Sequence, residues 1–231
     1  MSDISIPARE PRQVPVDDAV VPFEVAALDM RGRVVRLGPA LDHILGRHDY
    51  PAPVCKLLGE AIVLTVLLGA SLKFEGRFIL QTQSDGPVRM LVVDYRSPGM
   101  IRAYAQFDAE RISALREATA GNLLGRGHLA MTIDQGPDMS RYQGLVALSG
   151  EGLEHAAHEY FLRSEQLPTA LRMVVDGGRL SGMLVQQVPS EGGHAIRGET
   201  LRHQLAHQRG HHIAPGFVRK MLDVSAPGLS G

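Results

Sequence analysis

Strand hairpins interleaved with a few helices predict an α+β domain for this chain, with a mainly antiparallel sheet packed on one long buried helix. Two observations carry that expectation. Val54, Leu57, Leu58, Ala61, Ile62, Leu64 and Leu68 recur at helical spacing, and the second half of that stretch is apolar almost all round. Around it lie short strand-like runs bounded by turn clusters: Ser84-Asp85-Gly86-Pro87, Ser97-Pro98-Gly99, Gly136-Pro137-Asp138 and Asp176-Gly177-Gly178.

Taken in order, residues 1–18 hold Pro7, Pro11 and Pro15 with little apolar content and predict a disordered extension. Two strand-like pieces follow between Val20 and Leu37, with a turn expected at Met30-Arg31-Gly32, then a short helix over His43–Arg47. Pro51 and Pro53 open the long helix, which the spacing carries to about Lys73. Gly76–Gln83, Arg89–Tyr95 and Ile101–Phe107 predict three strands, Ala114–Leu124 a helix, and His128–Asp134 with Arg141–Leu148 a further pair. Leu153–Glu165 predicts an amphipathic helix stopped by Pro168, and Thr169–Val175 with Arg179–Val188 a hairpin. The expected boundaries are thus a core domain over 19–190 and a histidine-rich, poorly ordered tail over 191–231.

Composition narrows the chemistry. The 231 residues carry 24 Lys+Arg against 25 Asp+Glu, so no global basic field holds nucleic acid. A single cysteine, Cys55, excludes a disulfide within the chain and a zinc site built from several thiolates. Residues 1–18 have no apolar core of a secretory signal, and the longest apolar run, Ala61 to Leu72, is too short for a bilayer, which gives a cytoplasmic, non-membrane expectation. No phosphate-loop pattern occurs, and Ser71 and Ser149 lie outside any nucleophile elbow, so no enzyme activity is expected. Cys55 reads as a small residue of the apolar helix rather than a reactive thiol. Arg163 and Glu165 read as a solvated helix end. His203, His207 and His211 fall at i, i+4, i+8 but have no evident supporting groups, so no cofactor or metal is assigned.

Alternation splits each strand into two faces. We assign Met90, Val92, Ala103 and Val146 to the core. The opposite, mixed face then consists of Ile79, Leu91, Val93, Tyr95, Tyr104 and Leu145.

Several stretches go further. His48-Asp49-Tyr50-Pro51-Ala52-Pro53-Val54 precedes the long helix, and Leu72-Lys73-Phe74-Glu75-Gly76 follows it. Arg141-Tyr142-Gln143-Gly144 opens a strand, the string from Tyr160 through Arg163-Ser164-Glu165 to Pro168 closes a helix, and Gly182-Met183-Leu184-Val185-Gln186 comes near the end. This ordered set, over about residues 20–190, resembles the 33 kDa chaperonin family of redox-regulated heat-shock holdases. The resemblance implies an α+β core, a helical linker across its sheet and a C-terminal zinc domain. It also implies ATP-independent holding of unfolding clients, activation by oxidation, and active forms that dimerise. The family's four zinc cysteines, C-x-C followed by C-x-x-C, have no counterpart here, and the tail over 191–231 is expected to replace the family's linker and zinc domain, so zinc and the disulfide switch are not carried over. The expected partners are unfolded proteins and a second copy of the chain, and the expected client surface is the mixed face. The alternative is a nucleic-acid-binding module using Arg89, Arg96, Arg102 and Arg141.

Overall fold

A computed structural model describes residues 17–71, 76–136, 141–165, 168–176 and 179–187. The expected N-terminal extension, apart from its last two residues, and the whole expected tail with its five histidines lie outside the described residues.

The long helix organises everything else. It runs Ala52–Gly69 (α2), with Pro51 at its N-cap and Pro53 in the first turn, where a missing N–H costs nothing. Val54, Leu57, Leu58 and every residue from Ala61 to Gly69 are buried. A helix apolar all round needs cover on all sides, and two antiparallel sheets supply it. The four-stranded sheet has the order β1-β2-β9-β8, formed by Ala19–Val25 (β1), Met30–Leu37 (β2), Thr169–Asp176 (β8) and Arg179–Gln187 (β9). The five-stranded sheet has the order β5-β4-β3-β6-β7. It is formed by Arg77–Ser84 (β3), Val88–Arg96 (β4), Met100–Phe107 (β5), Arg126–Asp134 (β6) and Tyr142–Ser149 (β7). The expected α+β arrangement of antiparallel sheet around a long buried helix is borne out, with the strands divided into two sheets and α2 between them. In length and composition α2 would suffice to cross a membrane, since the helix starts well before the apolar run at Ala61; in this fold its apolar surface is used up between the sheets.

The smaller helices close the ends. Pro39–Leu45 (α1) follows β2, earlier than the His43–Arg47 expected. Ala109–Ser113 (α3) and Ala120–Leu124 (α4) replace the single helix expected over Ala114–Leu124. The side chains of Asp108 and Thr119 accept the N–H groups of Arg111 and Asn122, each at 3.1 Å, so two separate caps start two separate helices. Leu153–Tyr160 (α5) ends sooner than expected, passing into a wider π-helical turn over Phe161–Glu165. The first hairpin turns through a 3₁₀ segment at Ala26–Leu28, with Asp29 left-handed at φ 50°, rather than at Met30-Arg31-Gly32.

Glycine sets the helix–sheet distance at one point. A Cβ on Gly182 of β9 would collide with Val63 and Leu67 of α2, so the strand backbone lies directly on the helix.

Candidate functional site

Pairing register decides which strand residues share a face, because residues directly opposite one another point the same way. In β3 and β4, Phe78 faces Tyr95, Leu80 faces Val93 and Thr82 faces Leu91. Leu80, Leu91 and Val93 are 0% exposed and Tyr95 is 5% exposed, all within the core around α2. Thr82 is buried with them, its hydroxyl oxygen accepting the Leu91 N–H at 3.0 Å. The Tyr95 hydroxyl reaches the Pro98 carbonyl at 3.1 Å, and burial pushes its phenol upward. Leu91, Val93 and Tyr95 are therefore core residues, and their assignment to the mixed face is corrected. Met90 and Val92, assigned to the core from sequence, lie on the other side and are half-buried. The remaining assignments stand: Ala103 and Val146 pack against the core, Tyr104 is 45% exposed, Leu145 is 63% exposed, and Ile79 is half-buried on the outer face.

The outer face of the five-stranded sheet can be read row by row from the ladders. One row runs Tyr104, Val92, Gln81, Ala130, Leu145 from β5 to β7. A second runs Arg102, Asp94, Ile79, Thr132, Gln143, and a third Gln106, Met90, Gln83, His128, Ala147. Apolar side chains thus alternate with amides and hydroxyls at the centre, and charges sit toward the rim. The Thr132 hydroxyl accepts from Gln143 Nε2 at 3.0 Å, and Arg77 forks onto Asp94. At one end of the strands an open cavity of about 750 Å³ is lined by Arg77, Arg96, Met100, Asp134 and Arg141 among others. Arg141 bonds Asp134 there at 3.1 Å.

This arrangement offers contact area. Among the described residues no group of three or more His, Cys, Asp or Glu is placed to hold a metal. Cys55 is half-buried, its Sγ 3.5 Å from the Tyr50 carbonyl, and burial pushes its thiol upward, away from the reactive thiolate. Ser71 is engaged by its helix and by Arg33, donating to the Leu67 carbonyl at 3.1 Å and accepting from Arg33 at 2.8 Å. Arg163 pairs with Glu159 at 2.8 Å across one helical turn. The four arginines weighed for nucleic acid do not line up. Arg89 lies near Asp108 at one end of the sheet, Arg96 and Arg141 lie at the other, and Arg102 stands opposite Asp94.

The family model of the Hsp33 protein matches residues 18–225. The chain belongs to the Hsp33 family. The matched span passes residue 190 into the segment read from sequence as a tail, and the family's C-terminal zinc domain is not covered by it. The 33 kDa chaperonin of Caulobacter vibrioides is 50% identical over 197 residues, covering 80% of this chain and 64% of that protein. That of Shewanella loihica is 39% identical over 166 residues, covering 72% of this chain and 57% of the other. The chain thus spans less than two thirds of the length of these Hsp33 relatives. The crystal structure of the 33 kDa chaperonin from Thermotoga maritima superposes with a TM-score of 0.67 over 90% of this chain and 71% of that one; at 18% identity this bears out the α+β fold.

Proposed function

We propose that this chain is a holdase. It binds unfolding proteins through the outer face of the five-stranded sheet, without ATP, and keeps them from aggregating. The carrying observation is the row Tyr104, Val92, Gln81, Ala130, Leu145, where Tyr104 and Leu145 stand exposed and Val92 half-buried on a sheet whose other face packs on α2 and α5. A surface that holds many sequences needs apolar area broken by polar groups, so that no single partner fits best and the free protein stays soluble. Membership of a family whose relatives are named chaperonins supports the reading.

The same reading makes the chain non-catalytic, cytoplasmic, free of a resident cofactor and able to self-associate through that face. Its holding activity does not depend on a disulfide within these 231 residues, because one cysteine can form only an intermolecular one. The test is light scattering of thermally unfolding citrate synthase with increasing amounts of the chain, with and without ATP and peroxide. Suppression independent of both is expected; no suppression at several-fold molar excess, or strict dependence on ATP, overturns the proposal.

A further inference from the structure

Beyond its apolar row, the outer face of the five-stranded sheet ends in charge. Arg77 of β3 stands directly opposite Arg96 of β4 on one side and Asp134 of β6 on the other, and Arg96 stands opposite Met100 of β5. Arg141, just before β7, continues this row by bonding Asp134. Arg102 and Asp94 face one another two residues further in. This end thus carries four arginines against two aspartates, in a chain whose 24 Lys+Arg are balanced by 25 Asp+Glu overall. Like charges directly opposite on neighbouring strands weaken pairing, so the sheet by itself gains nothing from Arg77 beside Arg96.

The two carboxylates are already engaged. Arg77 forks onto Asp94, its Nε 3.2 Å from Oδ1. Asp134 accepts the Gly136 N–H on Oδ1 and Arg141 Nε on Oδ2, each at 3.1 Å. A guanidinium has five N–H donors and no acceptor. Arg96 and Arg102 are exposed and bond no carboxylate among the described residues, and Arg141 uses only its Nε on Asp134. This end therefore offers a surplus of charged donors around an open cavity of about 750 Å³.

We propose that it is a carboxylate-binding site, which selects client segments carrying an aspartate or glutamate beside their apolar stretch. The site rests on the holdase reading, whose clients it sorts.

Arg77 lies four residues along β3 from Gln81 of the central row, and Arg96 four along β4 from Val92, about 13 Å in each case. A client segment leaving the row along the strands reaches the arginines in about four residues. An arginine receives a carboxylate through two parallel hydrogen bonds, as Arg77 receives Asp94. A client carboxylate displaces neither aspartate, since Arg96 bonds neither. Isolated carboxylates suit the site better than the phosphates of a nucleic acid. Asp94 and Asp134 sit among the arginines and repel a continuous run of negative charge, and among the described residues no aromatic ring lines the cavity for bases to stack on.

The test is fluorescence anisotropy with three labelled, C-terminally amidated peptides. They share one stretch of alternating leucine and glutamine and end in Glu-Glu, Gln-Gln or Lys-Lys. The Glu-Glu peptide should bind several-fold more tightly than the Gln-Gln peptide and the Lys-Lys peptide more weakly, with both differences shrinking in about 0.5 M salt. In Arg96→Gln the Glu-Glu peptide should fall toward the affinity of the Gln-Gln peptide; in Arg96→Lys, which keeps the charge, it should keep most of its advantage. Equal binding of the Glu-Glu and Gln-Gln peptides, or an advantage that Arg96→Gln leaves intact, overturns the carboxylate site while the holdase reading stands. If no peptide binds, both fall. Single-stranded oligoadenylate RNA that binds more tightly than the Glu-Glu peptide, and loses that binding in Arg96→Gln, overturns the site in favour of a nucleic-acid ligand.

Discussion

Val92 and Val93 are adjacent, identical and on opposite faces of one strand, which makes them a sharp test of the sheet assignment. Threonine matches valine in shape and keeps its branching at Cβ, so Val→Thr changes little except one methyl for one hydroxyl. Val93 is 0% exposed, with Leu80 and Ala103 as its cross-strand neighbours. A hydroxyl placed there loses water without gaining a ready partner, at a cost of about 1–3 kcal/mol. For a domain of this size about 2 kcal/mol lowers Tm by roughly 4–8 °C. Val92 is half-buried beside Tyr104 and Gln81, where a hydroxyl can meet water or the Gln81 amide. Val92→Thr should shift Tm by no more than about 1–2 °C, the range of a surface substitution. The assay is thermal unfolding by circular dichroism on both variants side by side. Equal shifts, or a larger one for Val92→Thr, would refute the face assignment. The same logic extends to function: Val92→Thr/Tyr104→Thr/Leu145→Thr removes most of the apolar area from one row while leaving the core intact. This triple variant should melt within a few degrees of the parent, each exposed strand position costing about 0.2–1 kcal/mol, yet need several-fold more protein to suppress citrate synthase scattering. If it holds clients as well as the parent, the client surface lies elsewhere.

Gly182→Ala should lower stability by about 1–3 kcal/mol in a denaturant titration, because the added methyl collides with Val63 and Leu67, both 0% exposed and without room to yield. The Asp17 carboxylate joins Arg36 at 2.8 Å and Arg179 at 2.9 Å; burial alone would raise it, but those partners hold it below its ordinary 3.8. Its contribution is thus present above about pH 3.8 and lost as pH falls through the lowered value. Asp17→Asn should melt below the parent at neutral pH, with the gap closing in acid. Cys55 should react with a maleimide more slowly than free cysteine at neutral pH, since its thiolate is disfavoured, and elemental analysis should find no thiolate-bound zinc.

The elements legible in the sequence are those whose signal is local and one-sided. Helix α2 was legible because an apolar stretch behind Pro51 and Pro53 leaves little room for another reading, and the hairpins because Gly, Pro and Asp mark their turns. The split of α3 from α4 was legible in principle: Asp108 and Thr119 are capping residues, but the helix-favouring run between them masks the break. The face of β4 was harder. Both parities of that strand are apolar, and a one-residue change of register exchanges them. The deciding signal is Asp94, which shares its parity with Met90 and Val92 and forks with Arg77, whereas Leu91, Val93 and Tyr95 carry no charge. Strands β5 and β7 were legible because only one of their parities carries Arg102, Gln106 and Gln143. The second sheet and the α5 seam on β8 were not legible, because they arise from contacts between segments far apart in sequence.

The division of labour between the two faces of the five-stranded sheet explains how a stable protein carries so apolar an exterior. The core gathers around α2, enclosed by both sheets, and leaves most of the outer face of the five-stranded sheet, buried Ala130 apart, outside it. That face can be tuned for binding without weakening the fold, provided that its apolar residues stay dispersed. Gln81 between Val92 and Ala130, and Thr132 between Ile79 and Gln143, disperse them. Adjacent strands lie about 4.8 Å apart, so the row from Tyr104 to Leu145 spans roughly 19 Å. An extended polypeptide advances about 3.3 Å per residue, so about six residues of a client would cover the row. They would meet an aromatic and an aliphatic group, then an amide, then a small and a large apolar side chain. Short, partly apolar segments of that length occur in almost every unfolded chain. A face of this kind would therefore recognise the unfolded state itself, and would let go once those segments are buried.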